Sequence, residues 1–517
     1  MCPILEWRVP YGLLSTQIGS LPIGSPEPRC LEIGRMRLRE HPGFSPLPIG
    51  RLLLLAALAA SLAVWPASAN TLATYVQLGP NNEQHREPNV VARAITEGTE
   101  CPVLRADGQP QPMKLRAAPE MVLKGVASAR FPVRSCEADV PSHTVGLTFD
   151  STPLPLTRGE PRRIVIIGDT GCRIEHTNGE YYRLQDCNDA EAWPYAKIAR
   201  HAAEARPDLV IHVGDYHYRE ATCPEGWIGC KGSPHGPGWD AWNADFFEPS
   251  APLFAAAPWI MVRGNSETCA RAGEGWFRFL DANAMPKECS DFTEPIAIIL
   301  GDFAFVVMDT ASADPKEPAV KKLKPGALNK LLLSQFQTAQ RLLAPAAEGW
   351  LLTHRPLYGL RSYKSAAHNN NTASYVFDNT TLQAAASQPA DLLSKFEMII
   401  SGHIHIFEAL NVEAVVGAQT LHRTPQLVVG IGGDTLEPME TGCNVEGATG
   451  PVKAKGLAIR QFGYAVWDRE GKDWLGSLFK ADGKITTRCR LQGGSLSCEV
   501  LRTVPSGLAA PPFHIYS

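Results

Sequence analysis

Five times between residues 161 and 430 a short, largely apolar run leads straight into a polar residue. Ile164 to Ile167 precedes Asp169, Leu209 to Val213 precedes Asp215, Trp259 to Val262 precedes Asn265, Trp350 to Thr353 precedes His354, and Met398 to Ile400 precedes His403. Runs that do not alternate with polar residues form strands covered on both faces, and helical stretches such as 190–205 lie between them. The pattern predicts α/β layering, with further strands at Ala304 to Met308 and Gln426 to Val429. On open α/β sheets, chemistry gathers at the carboxyl ends of strands. The five polar residues stand there, so distant parts of the chain can meet in one place.

The chain has 517 residues, more than one ordinary core organises, so a large unit and at least one smaller one are expected. From Thr71 to about 158, runs such as Thr74 to Leu78 and His143 to Phe149 alternate with Pro, Gly and Asn. That pattern predicts a small all-β, sandwich-like domain over 70–158. The catalytic unit is then 159–480, and 481–517 reads as a disulfide hairpin and tail. Lys316 to Lys324, charged and containing Pro, reads as a solvated loop.

At 44% hydrophobic and 20% charged, the composition excludes a disordered chain and a polytopic membrane protein. One segment carries a membrane signal: Leu52 to Trp65 is apolar, follows Arg51 and ends in Ala67-Ser68-Ala69. It is shorter than the roughly 20 residues of a spanning helix and fits a secretory signal peptide cleaved after Ala69. Met36 would make a more ordinary start than Met1, and a retained, uncleaved anchor is the alternative. Without residues 1–69 the formal charge moves from -4 to -6, which leaves no basic surface for nucleic acid. A secreted or periplasmic protein is expected, with no stable membrane insertion after cleavage.

Export means an oxidising compartment, where cysteines pair. Sequence does not determine connectivity. Nearest neighbours suggest Cys101 with Cys136, Cys172 with Cys187, Cys223 with Cys230, Cys269 with Cys289 and Cys489 with Cys498, leaving Cys443 over. No Cys-x-x-Cys occurs, which argues against a zinc ribbon or a thioredoxin-type site. Asn370-Asn371-Thr372 and Asn379-Thr380-Thr381 match the acceptor pattern for N-glycosylation.

The polar residues fall in five blocks: Gly168-Asp169-Thr170-Gly171, Gly214-Asp215-Tyr216-His217-Tyr218, Gly264-Asn265-Ser266-Glu267, Leu351-Leu352-Thr353-His354 and Gly402-His403-Ile404-His405. Singly they say little. Gly-Asp after a strand is usually a turn closed by an Asx-type hydrogen bond, and His-x-His is more often structural. Together, carboxylate, amide and imidazole donors suit first-row transition metals better than calcium or magnesium. A carboxylate can bridge two metals about 3.5–4 Å apart, a pair that polarises a phosphoryl oxygen and supplies hydroxide near neutral pH.

The order of these blocks resembles the calcineurin-like metallophosphoesterases, and Gly-Asp-x-Gly with Gly-Asp-x-x-Tyr resembles the purple acid phosphatases. The similarity covers about 162–435. It implies a four-layer α/β/β/α sandwich, here preceded by the small β domain. It also implies that Asp169, Tyr218 and His405 hold one metal, that Asn265, His354 and His403 hold the other, and that Asp215 bridges them. Many metallophosphoesterases have Asp-x-His in the first block, where this chain has Asp169-Thr170-Gly171, with Tyr218 as the replacement ligand. A phenolate favours Fe(3+), with Zn, Mn or Fe(2+) as the second ion. Read without the resemblance, Tyr218 is a packed aromatic with a surface hydroxyl.

The expected function is hydrolysis of small phosphate monoesters, with a phosphodiesterase or a catalytically weak metal-binding protein as alternatives. The weak alternative rests on Ser266, which stands where the family has a His that contacts phosphate. Serine donates no proton near neutral pH, so slower turnover is expected. As a nucleophile Ser266 lacks a Gly-x-Ser-x-Gly elbow. His217 and His368 are candidates to compensate, the plain reading of each being a solvated loop residue. His212, inside an apolar strand, reads as a hydrogen-bonded core residue. Arg355 is read as either a phosphate contact or an exposed ion pair.

Overall fold

A computed structural model of the chain describes residues 70–81, 88–157, 159–177, 181–363, 374–387, 392–439 and 442–501. The signal-like segment, its cleavage point, His368, the Asn370 acceptor and the tail beyond 501 lie outside these residues, as does the side chain of Cys443.

Two large sheets carry the molecule. Among the described residues the first has eleven strands and the second eight. At the centre of the first, the strands Arg163–Ile167, Leu209–His212 and Trp259–Met261 run parallel, in register at Ile167 with His212 and at His212 with Met261. In the second, Phe303–Val307, Glu348–Leu352 and Met398–Ser401 are parallel neighbours, followed by Gln419–Val429. Each expected strand of this region is present within two residues of its expected bounds except the last, expected over Gln426 to Val429, which begins seven residues earlier at Gln419. The expected helix starts late, as Tyr195–Glu204, because Pro194 offers no N–H to an earlier turn.

Alternate residues of these strands enter different cores, which explains the unbroken apolar runs. Ile164 and Ile166 share a core with Trp350, Leu352 and Ile400 of the other sheet, while Val165 and Ile167 pack with Tyr195, Ile198 and Ala202 of the helix. On the far side, Val306, Leu351 and Ile399 pack against Leu332, Phe336 and Ala339 of the helix Ala327–Leu343. The fold is mixed α/β with helices packed against both sheets.

The N-terminal segment departs from a separate domain. It is all-β, and Val76, Ala92, Leu104, Cys136 and Phe149 form a small core with a four-stranded sheet. Yet its strands Thr71–Asn81, Pro88–Thr96, Arg134–Asp139 and Lys114–Ala117 continue the eleven-stranded sheet, through a parallel bridge from Gln77 to Trp259. Buried arginines fasten it further. Arg93 reaches the Asp281 carbonyl at 2.6 Å, and Arg116 reaches the Phe277 carbonyl at 2.7 Å. Alternating apolar residues read the same in the outer strands of a larger sheet as in a free-standing sandwich. At the opposite edge, Ile485–Gln492 and Ser495–Val500 form the C-terminal hairpin, with Cys489 facing Cys498.

All five neighbour disulfides are present. Asn379 is no surface acceptor: it is buried as the N-cap of the helix Thr380–Ala386, accepting from the Thr381 and Leu382 amides. Within 316–324, read as a loop, Pro318–Lys321 forms a helical turn that buries Val320. Leu352→Ala, which opens a cavity between the two sheets, is expected to lower stability by about 2–5 kcal/mol in denaturant unfolding.

Candidate metal centre

Asp169, Asp215 and Asn265 leave neighbouring parallel strands of the first sheet, and His354 and His403 leave neighbouring parallel strands of the second. Asp169, Asp215 and His403 adopt φ of 56°, 57° and 69°. This left-handed region costs a non-glycine residue about 1–3 kcal/mol and persists only where surrounding bonds enforce it. Those bonds are present. Asp169 N–H donates to the Gly214 carbonyl at 2.9 Å, and His403 N–H donates to Asp169 Oδ2 at 3.0 Å. Two glycines are dictated by space. Gly214 has φ 101° and packs where a Cβ would lie 2.4 Å from His354 Nδ1, and a Cβ on Gly264 would lie 2.1 Å from Asp215 Oδ1.

Glu267 holds the second block in shape. Its carboxylate accepts N–H bonds from Gly264 at 3.0 Å, Asp215 at 3.1 Å, Tyr216 at 3.0 Å and His217 at 3.2 Å. Asp245, equally buried, accepts from Cys172 N–H at 3.0 Å, Tyr218 N–H at 2.7 Å and Arg219 Nε at 2.7 Å. Asp434 binds Arg173 Nε at 2.9 Å, and the Arg173 guanidinium lies 4.4 Å from the Tyr218 ring centre. Asp245, Asp434 and Arg173 carry no signal in the sequence, since an isolated charged residue ordinarily reads as surface; Glu267 is marked only by its place in the third block.

Asp215 stands between two groups of donors. Its Oδ2 accepts the Tyr218 hydroxyl at 2.5 Å, and that hydroxyl lies 3.1 Å from His405 Nε2 and 3.4 Å from Asp169 Oδ1. Its Oδ1 accepts the Ser266 N–H at 2.8 Å and lies 3.3 Å from His354 Nε2, which is 2.9 Å from Asn265 Oδ1. Ligand atoms of Asp215, His354 and His403 lie within 4.8 Å of one another. The structure therefore brings together all seven residues expected to bind metal.

The donors fit cations. His354 Nδ1 donates to the Val213 carbonyl and His405 Nδ1 to the Thr435 carbonyl, both at 2.8 Å, which points each Nε2 lone pair inward. Neutral His354 Nε2, Asn265 Oδ1 and Asp215 Oδ1 then face one another as acceptors without a proton among them, and a cation completes such a set. In the metal-free chain a proton takes that place. Burial lowers the His354 pKa, but the Asp215 carboxylate, with Asp169 and the Val213 carbonyl, outweighs it and pushes it to about 9. Burial, then Asp215 and Asp169, hold the Tyr218 phenol neutral. A cation beside the oxygen reverses that preference.

The other candidates are placed differently. Ser266 is buried, its hydroxyl has no hydrogen-bond partner among the described residues, and its amide serves Asp215. His217, read as a possible catalytic or solvated residue, is buried with Nε2 2.9 Å from the Gly236 carbonyl and its ring against Trp242. His212 is the hydrogen-bonded core residue expected, 3.0 Å from Thr170 Oγ1 and stacked on Tyr216. Arg355 is neither an exposed ion pair nor free for phosphate: it is buried, bound to Glu317 and to the Ala311 carbonyl, with Nη1 3.0 Å from His403 Nε2. A cleft of about 500 Å³ opens on Asp215, Tyr218, Asn265, His403 and His405, and Arg271 and Arg361 also line it.

The calcineurin-like phosphoesterase family profile matches residues 162–407. Purple acid phosphatase 23 of Arabidopsis thaliana is 23% identical over 303 residues, 54% of this chain and 55% of the relative, so the chain spans about half of that protein's length. Residues 162–407 thus match the metallophosphoesterase family, and the chain is similar to a purple acid phosphatase. Two solved structures share 13% identity with this chain. The structure of PhoD covers 86% of this chain and 94% of its own at a TM-score of 0.46. GAP50, the anchor in the inner membrane complex of Plasmodium, covers 64% and 88% at 0.35. Metallophosphoesterases use divalent metals, and the Asp215, His354 and His403 group is a possible site for one.

Beneath the cleft wall, Glu408 is buried and its Oε2 accepts the Leu360 N–H at 3.0 Å. Burial raises its pKa from 4.5 to about 8. The folded chain thus keeps a proton that the unfolded chain releases, so this residue's contribution to stability is lost as pH rises from about 4.5 to about 8. Unfolding midpoints of Glu408→Gln should fall less across that window than those of the parent.

Proposed function

We propose that the chain is an exported hydrolase of small phosphate monoesters, with Asp169, Tyr218 and His405 holding Fe(3+), Asn265, His354 and His403 holding Zn, Mn or Fe(2+), and Asp215 shared between them. The observation that carries this reading is Asp215, whose two oxygens address the two donor groups separately. Two cations there would polarise a phosphoryl oxygen and lower the pKa of water. The protein's own contribution is orientation: Glu267 and Asp245 fix the loops, and the carbonyls of Val213 and Thr435 fix the imidazoles. The five disulfides and the signal-like segment support export, and the two core-sharing sheets with outer helices support the four-layer sandwich.

Ser266 supplies no proton to a leaving alcohol, and His217 is turned to Gly236. A general acid is typically worth about 10²–10⁴-fold. Across a series of monoesters, turnover is therefore expected to fall steeply as the leaving-group pKa rises. Equal rates along the series would contradict this account of the acid. Aryl monoesters should be cleaved faster than the matching diesters. A broad visible absorption band that disappears in Tyr218→Phe is the expected mark of the ferric site, and a colourless, active protein would remove iron and tyrosinate from the reading.

A further inference from the structure

We propose that Arg271 contacts the substrate, its guanidinium receiving phosphoryl oxygens in the cleft as the cation that Ser266 does not provide. This rests on the phosphate-ester reading above. Arg271 belongs to the same loop as the third block, its N–H donating to the Thr268 carbonyl at 2.9 Å, and it is only partly buried. It lines the cleft together with Asp215, Tyr218 and Asn265. Both of its described side-chain hydrogen bonds, from Nε at 2.7 Å and from Nη2, end on Glu220 Oε1, and Nη1 takes part in neither.

The other arginines of the cleft are committed elsewhere. Arg173 spends Nε, Nη1 and Nη2 on Asp434 and Glu175, Arg361 lies between Asp378 and Glu437, and Arg183 is 59% exposed and paired with Glu175. Among the described residues Arg271 pairs with one carboxylate, that of Glu220. A guanidinium fixed from one side by a carboxylate presents its remaining N–H groups in the geometry that phosphate oxygens match. Glu220 is thus a positioning residue.

The test is calorimetric binding of inorganic phosphate to the metal-loaded full chain, with metal content measured in each variant. Arg271→Gln is expected to weaken binding roughly tenfold or more, the loss typical of a charge-assisted hydrogen bond. Arg271→Lys keeps the charge and the fold and should recover only part of it. Glu220→Gln, which removes the competing carboxylate, should bind phosphate as tightly as the parent or tighter. Unchanged affinity in both Arg271 variants would overturn the inference, and so would a loss in Glu220→Gln equal to that in Arg271→Gln, which marks a purely structural pair. A parent that binds phosphate through Arg271 but hydrolyses no monoester would keep this inference and remove the hydrolase reading. Hydrolysis with phosphate binding independent of Arg271 would do the reverse.

Discussion

The carboxylate of Glu267 is the constraint from which the site follows. Buried, and accepting the amides of Gly264, Asp215, Tyr216 and His217, it forces the turn after the Leu209–His212 strand into one conformation. Asp215 consequently sits in the left-handed region with an oxygen turned to each donor group. An unsatisfied buried carboxylate is costly, so the amides and Glu267 hold each other in place. Both glycines of this neighbourhood are needed for the same reason, since a methyl group on either would occupy the position of Asp215 or His354.

Strand layout supplies the rest. Parallel neighbours end at the same level, so residues that follow their last apolar position arrive together although Asp169 and His405 are far apart in sequence. Strain at Asp169, Asp215 and His403 is the local cost of that convergence, and it is concentrated where the ligand atoms are. The arginines and carboxylates around the cleft pair with one another, and Arg271, held on one side by Glu220, keeps Nη1 out of those bonds.

The sequence made the centre legible because each ligand stands beside a strand that both cores bury, and such strands are the easiest to recognise. The neighbour disulfides were legible for a similar reason, being short-range. Less was visible where position in space decides. Whether Thr71–Asn81 belongs to its own sandwich or to the catalytic sheet depends on its pairing with Trp259, which no periodicity reveals. His217 lies within a ligand block, but its ring is drawn to the Gly236 carbonyl rather than to the cleft. Asp245 and Asp434 carry no local signal, since their partners are amides and arginines remote in sequence.

The most direct test of the central claim is elemental analysis of the purified mature protein beside Asp215→Asn. If Asp215 joins two metal sites, the parent carries two metal ions per chain and the substitution loses at least one of them. A parent with no bound metal, or an Asp215→Asn protein that keeps the full complement, would contradict the account.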